Sequence, residues 1–115
     1  MRQDFLHLRN LVAHGMIAEK LLANPDLVKR AYVTCERWLE EQGDVPALQE
    51  WRTILGDVKD HIDSADDKER RIAYLTLLQV LLDPSEEGMR RRSSSPFSDA
   101  LTELERSAVY EALRK

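Results

Sequence analysis

Apolar residues recur three and four positions apart along almost the whole chain, and this spacing constrains the fold more than any other feature. It is the period of an α-helix that buries one face. We expect a short helix near residues 84–89 and five longer ones at these positions: 3–23, 25–42, 46–62, 66–82 and about 103–114. The run 74–82 is almost wholly apolar, which predicts that its helix is central and covered on most sides. The connections are short and no strand or internal repeat is evident. The sequence therefore predicts an all-α fold, a compact bundle of five or six helices in a single domain.

Several residues mark where these helices begin and end. Gly43 follows the second helix and is the residue type that adopts a left-handed conformation at a helix C-terminus. Thr102 and Glu105 match a capping box, in which each side chain accepts a hydrogen bond from the other residue's backbone N–H. Three more residues are candidate N-caps because they precede helical patterns: Asn24, Ser64 and Asp83.

Composition limits the classes of protein to which the chain can belong. Its 115 residues are enough to bury about two-thirds of the unfolded surface without disulfides. The net charge of −4 argues against a nucleic acid as the main ligand. A single cysteine excludes an internal disulfide and fits a reducing compartment. The N-terminus shows no apolar signal region, and the longest apolar stretch, 72–82, is too short to span a membrane. We therefore expect a cytoplasmic protein without a membrane segment.

The chain changes composition at one place, which divides it into three predicted segments. Residues 1–89 form the helical core, 90–98 a basic Ser/Pro linker, and 99–115 a C-terminal helix that packs on the same domain. A basic segment with one aromatic residue can fold onto another protein, although a merely solvated linker would have the same composition. We expect a partner to contact the segment 90–97 and the C-terminal helix. The residues predicted to bind it are Arg90, Arg91, Arg92, Ser95 and Phe97.

A second local pattern carries possible chemistry. Arg9 and Asn10 are followed, after three residues, by His14, and this spacing resembles the motif of the HEPN ribonucleases, which are small helical proteins. The resemblance implies metal-independent RNA cleavage, with the histidine as acid or base and the arginine on the phosphate. The alternative is that Arg9 and His14 are ordinary residues of a helix surface.

The remaining histidines and the cysteine are better explained as structural or surface residues than as functional ones. His7 and His14 lie two helical turns apart, about 10 Å, which is too far to ligate one zinc ion together. Cys35 lies on an apolar seam and is expected in the core. His61 belongs to an acidic cluster that we expect to be a solvated surface, together with Asp57, Asp60 and Asp63. We therefore expect neither a cofactor nor a metal site.

Features along the whole chain carry a further resemblance. They are the segment 17–22 after His14, the pair Asn24-Pro25, residues 36–39, Trp51, and Arg92 with residues 94–97, 101–102 and 105–106. In combination they are similar to small bacterial proteins associated with toxin–antitoxin gene pairs. The resemblance implies an antitoxin-like, non-enzymatic protein that neutralises a protein partner, with homodimer formation left open. It also implies that His14 belongs to the packing pattern around residues 17–21. A DNA-binding role would need a helix-turn-helix pair, and no helix pair has its short glycine turn and basic recognition helix.

Overall fold

Six α-helices make up most of the chain. The computed structural model describes residues 2–97 and 99–114, with side chains from residue 5 onward. Residues 1, 98 and 115, which the predicted segments include, lie outside this part. Within it the chain forms six helices and no strand, which confirms the all-α prediction: α1 Arg2–Ala23, α2 Asp26–Gln42, α3 Pro46–Val58, α4 Asp67–Leu81, α5 Glu86–Ser93 and α6 Glu103–Arg114. The radius of gyration is 14.1 Å, close to the ~13 Å expected for one compact domain of this length.

Helix α1 is the centre of the bundle. It packs against α2, α4, α5 and α6. Its buried apolar residues are Ile17, Ala18 and Leu21. The hydroxyl of Tyr74 on α4 donates a hydrogen bond of 2.7 Å to the carbonyl of Ala18. Because α1 is central, its residues lie close to α4, α5 and α6, which come much later in the sequence.

Helix α4 was expected to be the covered helix, and this prediction is wrong. One face of α4 is buried, whereas Ile72, Leu75 and Leu82 are exposed. An almost continuous apolar run allows a helix to be buried on all sides. Whether it is buried depends on how many other helices pack around it. α4 packs on α1, α3 and α5, and these cover only part of its circumference.

Two of the predicted helix ends are confirmed. Gly43 ends α2 with a φ of 82°, and its N–H bonds to the carbonyl of Leu39. At the start of α6, Thr102 N–H donates to Glu105 Oε1 at 2.8 Å, and Glu105 N–H donates to Thr102 Oγ at 3.1 Å. These reciprocal bonds are the predicted capping box.

Three other predicted helix ends are corrected by one or two residues. Asp66, not Ser64, caps α4 and accepts from two backbone N–H groups. Ser85, not Asp83, caps α5. α2 has Pro25 at its N-cap and no side-chain cap. The pattern therefore placed each helix start to within two residues but did not identify the capping residue.

The segment predicted as a linker is instead part of the packed structure. Helix α5 continues through the three arginines to Ser93, because cations in a last turn favour the helix C-terminus. Phe97 is 2% exposed and packs edge-to-face on Trp51, with 6.0 Å between ring centroids. The indole N–H of Trp51 donates to the carbonyl of Arg91 at 2.7 Å. Residues 90–97 are therefore held against α3 and do not form a solvated connection.

Candidate functional site

A cleft opens where α1, the end of α5, the segment after it and α6 meet. Its volume is about 530 Å³, within the range of pockets that hold small ligands or protruding side chains. Three arginines line it: Arg9, Arg92 and Arg106. The other polar lining residues are Asn10, His14, Ser93 and Ser95. The apolar and aromatic ones are Ala13, Ile17, Phe97, Leu101, Val109 and Tyr110. The cleft therefore combines cationic groups with an apolar wall.

The ribonuclease-like residues and part of the predicted partner-binding set meet in this cleft. Arg9, Asn10 and His14 come from α1, where the ribonuclease-like pattern lies. Ser95 and Phe97, with Arg92, come from the predicted partner-binding segment. The sequence offered these two sets as alternatives, 80 residues apart, and gave no reason to place them together.

His14 is the most enclosed polar residue of α1. It is 5% exposed, and its Nδ1 lies 2.7 Å from the carbonyl oxygen of Asn10. Because a carbonyl can only accept, Nδ1 carries the proton, and Nε2 accepts from the Ser95 hydroxyl at 2.8 Å. The Ser95 oxygen in turn accepts from the N–H of Phe97 at 3.2 Å. Every group in this chain of hydrogen bonds has a partner.

The surroundings of His14 keep its ring neutral. Its pKa is lowered from 6.5 to about 4, chiefly by burial; the hydrogen bond to the Asn10 carbonyl opposes this shift, and the positive charge of Arg92 adds to it. At neutral pH the ring is uncharged and both nitrogens are engaged. His14 thus fastens the segment after α5 to α1, a long-range contact that the predicted packing around residues 17–21 did not include.

Arg92 is buried below the cleft with its charge only partly compensated. It is 3% exposed, and its Nη1 donates to the carbonyls of Leu81 and Asp83 at the end of α4. Its Nε–H is buried without an acceptor among the described residues. No described carboxylate lies within ion-pair distance of it, and burial lowers its pKa. The guanidinium therefore adds positive potential to this side of the cleft.

The other two arginines lie on the flanking helices. Arg9 on α1 is half-buried and makes no hydrogen bond or ion pair with the described residues. Arg106 on α6 donates to the carbonyl of Leu101 at 3.2 Å. Tyr110 follows one turn later on the same face of α6 and is 43% exposed. None of the described lining residues is an aspartate or a glutamate.

A lysine–glutamate pair holds α6 against α1 and so fixes the width of the cleft. Lys20 Nζ donates to Glu105 Oε1 at 2.8 Å and to the carbonyl of Ala100 at 2.7 Å. The Lys20 hydrogen bond and the capping bond from Thr102 lower the pKa of Glu105 to about 2. Glu105 therefore caps its own helix and binds the central helix with the same carboxylate oxygen.

The predicted partner-binding residues separate into two groups. Arg90 and Arg91 lie outside the cleft on α5, where Arg90 binds Glu50 at 2.8 Å and Arg91 binds Asp83 at 2.9 Å. Arg92, Ser95 and Phe97 are buried. They were expected on an exposed linker, and this expectation is corrected: Arg92 caps the end of α4, and Phe97 fills the space beside α3. All three line the cleft, and Phe97 also borders a second, smaller cavity beside α2.

Sequence reasoning did not select Arg106 or Tyr110 as site residues. A signal for them existed, since they lie four residues apart on one face of a helix with Val109. What the sequence lacks is the neighbour of that face, which is α1. The pair becomes part of a site only because Arg9 and Asn10 lie across from it.

The remaining candidate residues occupy unremarkable positions. Cys35 is buried and donates from Sγ to the carbonyl of Leu48 at 3.0 Å, and burial raises the pKa of its thiol. His61 is exposed and lies 2.7 Å from Glu69. In the part of the chain that the structure describes, no three His, Cys, Asp or Glu residues are grouped as metal ligands would be.

Comparison of the chain with models of protein families, with curated proteins and with solved structures gave no match. None of the described helices has the length and apolar character needed to span a membrane. What the fold and the site define is a small all-α bundle with a cationic, apolar-walled cleft beside its last helix.

Proposed function

We propose that this chain is a non-enzymatic, antitoxin-like protein that neutralises a protein partner by direct contact, with the cleft between α1 and α6 as its contact site. The observation that carries the proposal is the make-up of the cleft, which combines three arginines with the partly exposed ring of Tyr110. Arginine and aromatic side chains are enriched at protein interfaces and supply much of their binding energy.

The state of His14 supports binding over acid–base chemistry at this site. A general base needs a free lone pair and a pKa near the working pH. The Nε2 lone pair of His14 accepts from Ser95, and its pKa is about 4. The same hydrogen bonds hold the residues at the bottom of the cleft in fixed positions, as a preformed binding site requires.

The cleft is also held in shape before any partner arrives. Lys20 fixes the start of α6 to α1, and His14 fixes the segment between α5 and α6. Because the site is already ordered, a partner segment that enters it does not have to supply the free energy of ordering it. Neutralisation follows if the segment held in the cleft is one that the partner needs for its own activity.

Co-expression with the product of the neighbouring gene tests this function. We expect that product to arrest bacterial growth alone, and the arrest to be relieved, with formation of a stable complex, when this chain is present. The double variant R9A/Y110A should lose both effects. The control R71A should keep them, because Arg71 is an exposed residue of α4 that pairs with Asp67. Absence of arrest, or full relief by the double variant, would contradict the proposal.

A metal-independent ribonuclease that uses Arg9 and His14 is the second candidate, because both residues line the same cleft. Its test is cleavage of a labelled RNA in the presence of a chelator, by the wild type and by Arg9→Ala. Cleavage that persists in chelator and is lost in the variant would favour the ribonuclease. Cleavage that does not differ between the two proteins, or no cleavage, would exclude it.

A further inference from the structure

We propose that the cleft between α1 and α6 is a carboxylate-binding site, in which Arg9 anchors an acidic group that is attached to an apolar body. The inference rests on the proposed function for the source of that group, an acidic side chain of the partner protein. The chemical nature of the ligand, an acid with an apolar body, is inferred from the cleft residues alone.

The first argument is the balance of charge. Three arginines line the cleft, and no aspartate or glutamate does so among its described residues. His14 adds no negative or positive charge, because it is neutral. A concave surface lined by one sign of charge concentrates its field in the cavity. An anion entering the cleft is therefore attracted, and none of the described lining residues is a carboxylate that would repel it.

The second argument is the state of Arg92. Its Nε–H is buried without an acceptor, and its guanidinium binds two carbonyls but no described carboxylate. Arg91 is a useful comparison, because its Nε–H is also buried without an acceptor. Arg91, however, binds Asp83 at 2.9 Å and lies 3.9 Å from Glu50, so its charge is compensated within the fold. Arg92 has no such ion pair with the described residues, and the more distant carboxylate of Asp83 compensates its charge only in part.

The third argument is the availability of a direct donor. Arg92 is too deeply covered to reach a ligand with its Nε–H, so it acts through its charge. Arg9 is half-buried, lines the cleft and makes no ion pair with the described residues. A planar guanidinium in this position can hold a carboxylate through two parallel hydrogen bonds. Arg9 is therefore the residue that should touch the acidic group.

The size and walls of the cleft define the rest of the ligand. A volume of about 530 Å³ is much larger than a carboxylate needs. The walls beside the arginines include Leu101, Val109 and the ring of Tyr110. Burying an apolar body against them is favourable by the usual hydrophobic term. The best ligand is thus an acid with an aromatic or branched aliphatic group close to it.

The test is a titration followed by ¹⁵N NMR of the arginine Nε–H groups in the whole protein. The probe is 3-phenylpropionate, compared with acetate, which lacks the apolar body, and with 3-phenylpropionamide, which lacks the charge. We expect 3-phenylpropionate to shift the Nε–H signals of Arg9 and Arg92 in a saturable way. The amide lacks the charge-assisted hydrogen bond and acetate lacks the buried apolar body, so 3-phenylpropionate should bind about tenfold or more tightly than either compound.

Variants locate the binding. Arg9→Ala should weaken 3-phenylpropionate binding about tenfold, and Arg71→Ala should leave it unchanged. Equal binding of the amide and the acid, or no shift of the two arginine signals, would overturn the inference. If the acid binds but the partner protein ignores the cleft variants, the ligand is a free organic acid and the proposed function fails. If the partner needs the cleft but the acid does not bind, only the carboxylate inference fails.

Discussion

The hydroxyl of Ser95 donates a 2.8 Å hydrogen bond to Nε2 of His14, and this bond joins positions 81 residues apart. It ties the segment after α5 to the central helix and closes the floor of the cleft. The Nδ1–H of the same ring donates to Asn10 within α1. One neutral histidine therefore links local helix structure to a long-range tertiary contact of the site.

The burial of His14 predicts a stability that depends on pH. Its pKa is about 4 in the folded protein and about 6.5 when unfolded. Below pH 6.5 the unfolded chain binds a proton that the folded one does not, so stability is full above that pH and declines towards pH 4. Linkage gives a loss of about 2 kcal/mol between pH 7.5 and pH 5. Urea unfolding across this range measures it.

Two variants separate the histidine from other titrating groups. Glu105, with a pKa of about 2, contributes stability that is present above its unfolded pKa and lost only as the pH falls towards 2. His14→Gln should abolish most of the slope between pH 7.5 and pH 5. Ser95→Ala should keep the slope at lower overall stability. An unchanged slope in His14→Gln would refute the assignment.

Phe97 should prove to be a core residue. Phe97→Ala removes a ring that packs on Trp51 and is 2% exposed, so the free energy of unfolding should fall by about 3–5 kcal/mol. Phe97→Leu should lose less, because it leaves a smaller cavity. Chemical denaturation checks both variants, and a loss under about 1 kcal/mol for Phe97→Ala would show that the ring is not packed. Loss of partner binding in Phe97→Ala would therefore report unfolding.

Two glycines should respond in opposite directions to alanine. A Cβ at Gly88 would overlap the carbonyl of Asp83, so Gly88→Ala should cost about 2 kcal/mol or more. At Gly15, in α1, the Cβ would meet only Leu82 at 4.0 Å. Gly15→Ala should stabilise by up to about 1 kcal/mol. Thermal unfolding of the pair measures the contrast, and equal effects would contradict the close approach of Gly88 to Asp83.

The capping box of α6 should control how firmly the last helix is held. Thr102→Ala removes the acceptor for Glu105 N–H and should cost about 1 kcal/mol, whereas Thr102→Ser should cost little. Hydrogen exchange of the α6 amides should be faster in Thr102→Ala and close to wild type in Thr102→Ser. Exchange that is equally fast in both variants would show that the cap does not hold the helix.

The helices were predictable from the sequence because their signals are local. The apolar period, Gly43 and the Thr102–Glu105 box each depend on residues within one or two turns. Which helix lies at the centre of the bundle was not predictable, because the burial of a helix depends on which other helices pack against it. The sequence pointed to α4 as the central helix, but α1 holds that position and α4 leaves Leu75 exposed.

The candidate site shows the same division. The sequence by itself determined that the chain is an all-α protein, and it offered His14 and the segment 90–97 as positions of interest. Only the tertiary structure decided that these positions meet in one cleft with Arg9. Residues 80 positions apart carry no mutual signal in a single sequence, because their contact is created when α5 and α6 pack on α1. Helix formation is a local property of the chain, whereas the cleft exists only between helices.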